Sequence, residues 1–157
     1  MCSKNDSKRF LVIGSNSFSG SHFVKGLFGK GFEVWGLSRS KEPNKVFLPY
    51  FWDDQEPYKI KDKCKDFNFR ALDLNKDLKE IINFIDEIQP ECIVNFAAQG
   101  MVAESWNDPV HWYKTNIISQ VSLHDELRKR SFLKKYVHVT TPEVYGSTDE
   151  GWLKECF

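Results

Sequence analysis

Phe10-Leu11-Val12-Ile13-Gly14-Ser15-Asn16-Ser17-Phe18-Ser19-Gly20 is the stretch that decides how this chain folds. An apolar run meets a glycine, which predicts a short buried strand ended by a turn. Ser19 to Lys30 then carries Phe23, Val24, Leu27 and Phe28 at helical spacing and ends between Gly29 and Gly31, which predicts a helix. A strand, a glycine-bearing turn and a helix make a docking place for a pyrophosphate. There the backbone turns tightly, approaches the phosphates and aims helix N-terminal N–H groups at the anion. Gly14 and Gly20 fill the first and last positions of a Gly-x-x-Gly-x-x-Gly pattern, and Ser17 takes the middle one with a hydroxyl to donate. Taken alone, the pattern also fits a plain strand-to-helix turn.

Outward from this unit the chain alternates. Phe32 to Leu37 reads as strand two and Phe67 to Leu72 as strand three. Leu78, Ile81, Ile82, Ile85 and Ile88 mark a second helix, stopped by Pro90. Cys92 to Phe96 reads as strand four. A long helix is predicted over Pro109 to Lys129, with Val110, Tyr113, Ile117, Val121 and Leu127 on an apolar side, and Tyr136 to Val139 as strand five. Alternating strands and helices imply right-handed crossovers and a parallel sheet covered on both faces. The expected fold class is α/β: a Rossmann-type doubly wound parallel sheet of about five strands, in the order 3-2-1-4-5. Lys41 to Lys65 is the exception, a Pro- and aromatic-rich excursion with no regular structure assigned. Residues 1–8 are expected to be a flexible N-terminus and 9–157 one domain, truncated before its last strands and substrate domain. Surfaces left uncovered in this way predict low stability or self-association.

Composition narrows the partners. Lys+Arg and Asp+Glu are both 22, so no net field favours nucleic acid or a membrane surface. No run approaches the ~18 apolar residues of a membrane helix. Met1 to Lys8 has no apolar core of a signal peptide. Cys2, Cys64, Cys92 and Cys156 are scattered, which argues against zinc and for a reducing cytoplasm. His22, His111, His124 and His138 lack a second ligand type at metal spacing, so no metal is expected. Trp106 and Trp112 are expected to pack. Lys129-Arg130 and Lys134-Lys135 are expected to form a solvated helix end.

Cofactor choice is read at the end of strand two, where an acidic residue would take a ribose 2′-hydroxyl. Ser38-Arg39-Ser40 stands there instead. A guanidinium fork pairs with a 2′-phosphate or stacks on adenine, so the cofactor is NAD or NADP with a lean to NADP. Asp73-Leu74 follows strand three, where a carboxylate can accept from the adenine amino group or cap a turn.

Joined to Asn95-Phe96-Ala97-Ala98-Gln99, Glu104-Ser105-Trp106, Pro109, Tyr113, Thr115, Asn116 and Thr140-Thr141-Pro142-Glu143-Val144-Tyr145-Gly146, these motifs resemble the extended short-chain dehydrogenase/reductase family in its nucleotide-sugar epimerase/dehydratase branch, from Arg9 to Gly146. The resemblance implies cofactor contacts at Gly14, Ser17, Phe18, Ser19, Gly20, Ser38, Arg39, Asp73, Leu74, Phe96, Ala97, Ala98, Asn116 and Thr140. It implies substrate contacts at Gln99, Ser105 and Thr141, a nucleotide-sugar substrate and a homodimeric parent.

Thr141 and Glu143 resemble the catalytic hydroxyl and carboxylate of sugar-nucleotide 4,6-dehydratases. In that chemistry the cofactor takes hydride from C4, a carboxylate removes the C5 proton, water leaves C6 and hydride returns there. Pro142 stands where the dTDP-glucose type has an aspartate, whereas Ala97-Ala98-Gln99 and Arg39 are closer to the GDP-mannose type. Gly100-Met101-Val102 replaces a Ser-His-Val that often lines the sugar-phosphate side. The family's Tyr-x-x-x-Lys pair is not found: Tyr58, Tyr113, Tyr136 and Tyr145 are followed four residues later by Asp62, Ile117, Thr140 and Asp149. The expectation is an NAD(P)-binding portion of a 4,6-dehydratase, inactive by itself. A 4-epimerase of the same family and a non-catalytic NAD(P)-binding module are the alternatives.

Overall fold

The computed structural model describes residues 8–52 and 67–141. Five parallel strands form one sheet in the order β3-β2-β1-β4-β5: β1 (Arg9–Ile13), β2 (Glu33–Ser38), β3 (Asn68–Ala71), β4 (Cys92–Asn95) and β5 (Lys135–His138). This is the expected Rossmann-type order. β1 is central, with Val12 opposite Gly36 of β2 and Val94 of β4. The chain runs outward from it in both directions, and that reversal opens a crevice at the C-terminal ends of β1 and β4.

Each face of the sheet has its own core, because successive strand side chains point to opposite sides. Leu11 and Ile13 of β1 pack with Ile81, Ile85 and Ile88 of α2 (Leu78–Ile88) and with Leu123 and Leu127 of α5 (Ser119–Leu127). Val12 faces Val24, Leu27 and Phe28 of α1 (Phe18–Gly29). The α2 stop is as read: Gln89 takes a left-handed conformation (φ 45°), and Pro90 follows. In the excursion, two single 3₁₀ turns at Lys45–Phe47 and Pro49–Phe51 carry Leu48 and Tyr50 into the second core, both about 1% exposed. Tyr50 rests on Phe28 and Phe67, so aromatic packing orders this part of the loop without a regular strand or long helix.

The structure corrects the sequence reading between β4 and β5. A short helix α3 (Val102–Asn107) precedes the expected one, and the long helix is interrupted. It runs as α4 (Pro109–Tyr113), a π-helical turn (Lys114–Ile118) and α5. Its supposed apolar side mostly faces out: Val110 is 76% exposed and Val121 62%, with Tyr113 and Ile117 also exposed, and only Leu127 of that set is buried. Trp106 is 82% exposed rather than packed. Helical periodicity identifies a stripe but not what covers it. Arg130 also departs from the solvated helix end: its guanidinium grips both oxygens of Asp86 at 2.6 and 2.8 Å and ties the segment after α5 to α2. That pair holds the Asp86 carboxyl below the usual carboxylate range.

Candidate functional site

The loops after β1, β2, β3 and β4 meet at the C-terminal edge of the sheet around a cleft of about 300 Å³. Its first wall is the glycine turn. Gly14 adopts φ +80°, and a Cβ there would lie 2.9 Å from the Ala97 nitrogen, so the turn and the loop after β4 touch backbone to backbone. A Cβ on Gly20 would collide with the Gly14 carbonyl oxygen. Both glycines are therefore fixed by close approach. Ser17 caps α1: its hydroxyl accepts from Gly20 N at 3.0 Å and donates to the Gly14 carbonyl at 2.7 Å. That hydroxyl proton is held inside the turn instead of facing a ligand. The backbone N–H groups of Phe18 and Ser19 open the helix and have no intrahelical acceptor, as an anion site requires.

The second wall is the end of β2. Ser38, Arg39 and Ser40 line the cleft, and Arg39 forms no ion pair among the described residues. Ser38 Oγ receives the Asn16 N–H at 3.0 Å. The third wall is the turn after β3, with Asp73, Leu74 and Asn75. Asp73 accepts from Asn75 N at 2.9 Å, and its own N–H goes to Asp77. It is thus a turn-forming aspartate that also lines the cleft.

The fourth wall, Phe96-Ala97-Ala98-Gln99, is braced from behind. Asn95 is fully buried, and its amide nitrogen donates to Gln120 Oε1 at 2.7 Å and Tyr136 Oη at 2.8 Å. Its oxygen accepts from Ala97 N at 2.8 Å. Gln120 returns to the same wall by donating to the Ala97 carbonyl at 3.0 Å. Burial pushes the Tyr136 phenol up, against the opposing pull of the Asn95 donor. Asn116 sits in the π turn and clamps Gln99, accepting from its N–H at 2.8 Å and donating to its carbonyl at 3.0 Å. A π turn widens the helix and re-aims its side chains, and here it brings Thr115 to the cleft while Asn116 faces Gln99.

Of the residues singled out in the sequence, Gly14, Ser17, Ser38, Arg39, Asp73, Leu74, Phe96, Ala97, Ala98 and Gln99 meet at this cleft. Phe18, Ser19 and Gly20 belong to the first turn of α1 beside it. Asn116 acts on Gln99 from behind the wall. Ser105 lies within α3, where its hydroxyl donates to the Val102 carbonyl at 2.7 Å. Thr140 and Thr141 follow β5 outside the cleft lining, and Glu143 lies outside the described residues. Asn16, Ser40 and Asn75 line the cleft without having been singled out as contacts. Asn75 ties the third wall to the π turn and α5, donating to Thr115 Oγ1 at 2.8 Å and accepting from Ser119 Oγ at 2.7 Å. Neighbouring motif positions gave the only signal for these residues. Among the described residues no group of three or more His, Cys, Asp or Glu side chains is arranged to hold a metal ion.

The site fits a dinucleotide on its own geometry. It has a capped helix N-terminus at a sheet switch point, a turn closed by two glycines that admit no Cβ, and an arginine across from it without an ion-pair partner among the described residues. Comparison with known proteins agrees. The family model described as GDP-mannose 4,6 dehydratase matches residues 11–157. A GDP-mannose 4,6-dehydratase from Yersinia enterocolitica is 27% identical over 91% of this chain and 38% of its own length. The UDP-glucose 4-epimerase of Thermus thermophilus, solved as a complex with NAD, superposes with a TM-score of 0.71 at 27% identity, over 94% of this chain and 42% of that one. The Bifidobacterium longum UDP-glucose 4-epimerase gives 0.75 at 22% identity, over 94% and 41%, a likeness of fold alone. The chain thus spans about two fifths of the length of the relatives it matches.

Proposed function

The chain belongs to the GDP-mannose 4,6-dehydratase family, among the extended short-chain dehydrogenase/reductases, and from that premise we propose that its cleft binds NAD or NADP as the cofactor-holding portion of a nucleotide-sugar 4,6-dehydratase. The observation that carries this reading is the convergence of the α1 N-terminus, Arg39, Asp73 and the braced Phe96–Gln99 wall on one cleft. The Phe18 and Ser19 N–H groups meet the pyrophosphate, and Asp73 accepts from the adenine amino group. Arg39 meets a 2′-phosphate, which makes NADP the preferred form. The Thermus thermophilus relative, solved with NAD, supports the cofactor class.

Bound in this cleft, NAD or NADP would supply the hydride chemistry between sugar C4 and C6. On the sugar side, Gln99, Ser105 and Thr141 are the proposed contacts, with the Thr141 hydroxyl on the C4 oxygen. Glu143 is the base for the C5 proton. Pro142 beside it has no proton to give, which favours the GDP-mannose type over the dTDP-glucose type. A 4-epimerase would need the same cofactor contacts, but the family match and the Glu143 carboxylate favour dehydration.

Residues 1–157 contain no Tyr-x-x-x-Lys, the pair that would lower a tyrosine pKa at C4. These residues therefore supply binding and part of the acid–base set, not turnover. The test is a calorimetric titration of the purified chain with NAD and NADP, followed by incubation with GDP-mannose. Binding without turnover is expected. Failure to bind either dinucleotide refutes the cofactor reading, and measurable dehydration refutes the inactivity.

The exposed Val110, Ile117 and Val121, with Trp106 on the neighbouring α3, support a homodimer of the parent through this side, since an apolar patch of this kind marks an interface. The free, half-buried Cys92 thiol, pushed up by burial, fits a reducing cytoplasm. Among the described residues no helix is long and apolar enough to cross a membrane.

A further inference from the structure

We propose that Asn16 is a positioning residue for cofactor choice: its side-chain amide holds the loop after β2 so that Arg39 faces the 2′-phosphate of NADP. This rests on the reading of Arg39 given above. Asn16 sits midway through the glycine turn, yet its contacts go to the other wall. Its backbone N–H donates to Ser38 Oγ at 3.0 Å. Its Nδ2 donates to the carbonyls of Ser40 at 3.1 Å and Lys41 at 3.2 Å. Ser15 Oγ lies 3.4 Å from Ser38 Oγ, and Gly14 N reaches the Leu37 carbonyl at 2.6 Å. Arg39 is thus bracketed on both sides by residues bonded to the glycine turn.

The chemistry of the bracket selects asparagine. Two carbonyl oxygens need two donors from one short neutral side chain, and only a primary amide supplies them. A serine or threonine hydroxyl reaches one carbonyl. An aspartate presents oxygens to oxygens. The amide cannot be turned over, because its oxygen would then face both carbonyls. Its Oδ1 is buried without a hydrogen-bond partner among the described residues. An orphan acceptor is unfavourable, and it persists here because both donors are committed to the loop. The free end of that loop is the Arg39 side chain, the one cation among the described residues that line the cleft. Holding the backbone on either side of Arg39 removes the entropy it would otherwise lose on meeting a phosphate.

A positioning role separates from a structural one by which cofactor suffers. Calorimetric titration of wild type, Asn16→Ala, Asn16→Ser, Arg39→Ala and the Asn16→Ala/Arg39→Ala pair with NAD and NADP gives the answer. Wild type is expected to bind NADP about tenfold or more tightly than NAD, the worth of one charge-assisted contact. Asn16→Ala is expected to lose most of that ratio while its NAD affinity stays within about twofold, with Asn16→Ser between, since one donor remains. The double variant is expected to match Arg39→Ala, because Asn16 acts through Arg39. Equal loss for NAD and NADP would reduce Asn16 to a turn residue and overturn the proposal, as would an unchanged ratio. A wild type without NADP preference overturns the Arg39 reading and the proposal together. Should Asn16→Ala fail to give a folded chain by circular dichroism, Asn16→Ser decides by the same ratio.

Discussion

Replacing Asn95 with alanine removes three hydrogen bonds at once, to Gln120, Tyr136 and the Ala97 N–H. Each contributes about 1 kcal/mol net, and the partners left behind are costly where water cannot reach them. Gln120 is 5% exposed, and its amide N–H donors are already engaged with Ala97 and Thr115, so it cannot turn to find a new partner for its oxygen. Tyr136 is half-buried and can recover a water. The expected loss is about 3 kcal/mol, a substantial part of the 5–15 kcal/mol that holds a domain together. In a chain of this length it lowers Tm by about 10 °C. Urea denaturation followed by circular dichroism reads it directly, and m should not change, because the surface exposed on unfolding does not.

The cycle with Tyr136→Phe isolates one bond. The single variant loses about 1 kcal/mol, and the pair falls short of additivity by a similar amount. Because Ala97 lines the cleft, Asn95→Ala should also weaken dinucleotide binding. A loss below about 1 kcal/mol with unchanged m would refute the argument that this buried amide braces the wall.

Two further outcomes can be checked together. His138 stacks near Tyr136 and lies 6.2 Å from His124, and burial followed by the His124 charge pushes its pKa below the ordinary histidine value. The unfolded chain therefore takes up the proton first as pH falls. Stability is full above about 6.5 and is lost from there down to the folded pKa. An NMR titration of the His138 ring with a midpoint at or above the ordinary value contradicts this, and His138→Gln should flatten that part of the pH profile. The dimer reading is checked by sedimentation: wild type is expected to self-associate and Val110→Glu/Val121→Glu to be monomeric, whereas a monomeric wild type counts against it.

The sequence alone determined the parallel α/β frame, because local signals suffice for it. Phe10–Ile13 ending at Gly14, the Ile-rich α2 stopped by Pro90 and the run at Cys92 each declare an element within a few residues. The motifs at the strand ends likewise named most of the cleft, since a parallel sheet delivers every βα loop to one edge. Other properties depended on residues far apart in the chain. Ser17 reads as a phosphate donor until its hydroxyl is seen to close on Gly14. Asn16 reads as a spacer until it meets Ser40 and Lys41, more than twenty residues on. Val110 and Val121 read as core because periodicity records which side chains share a face, not whether anything lies against it. Spacing along the chain fixes what is local. Which buried polar groups find partners, and which apolar faces are left uncovered, is decided only when the strands come together.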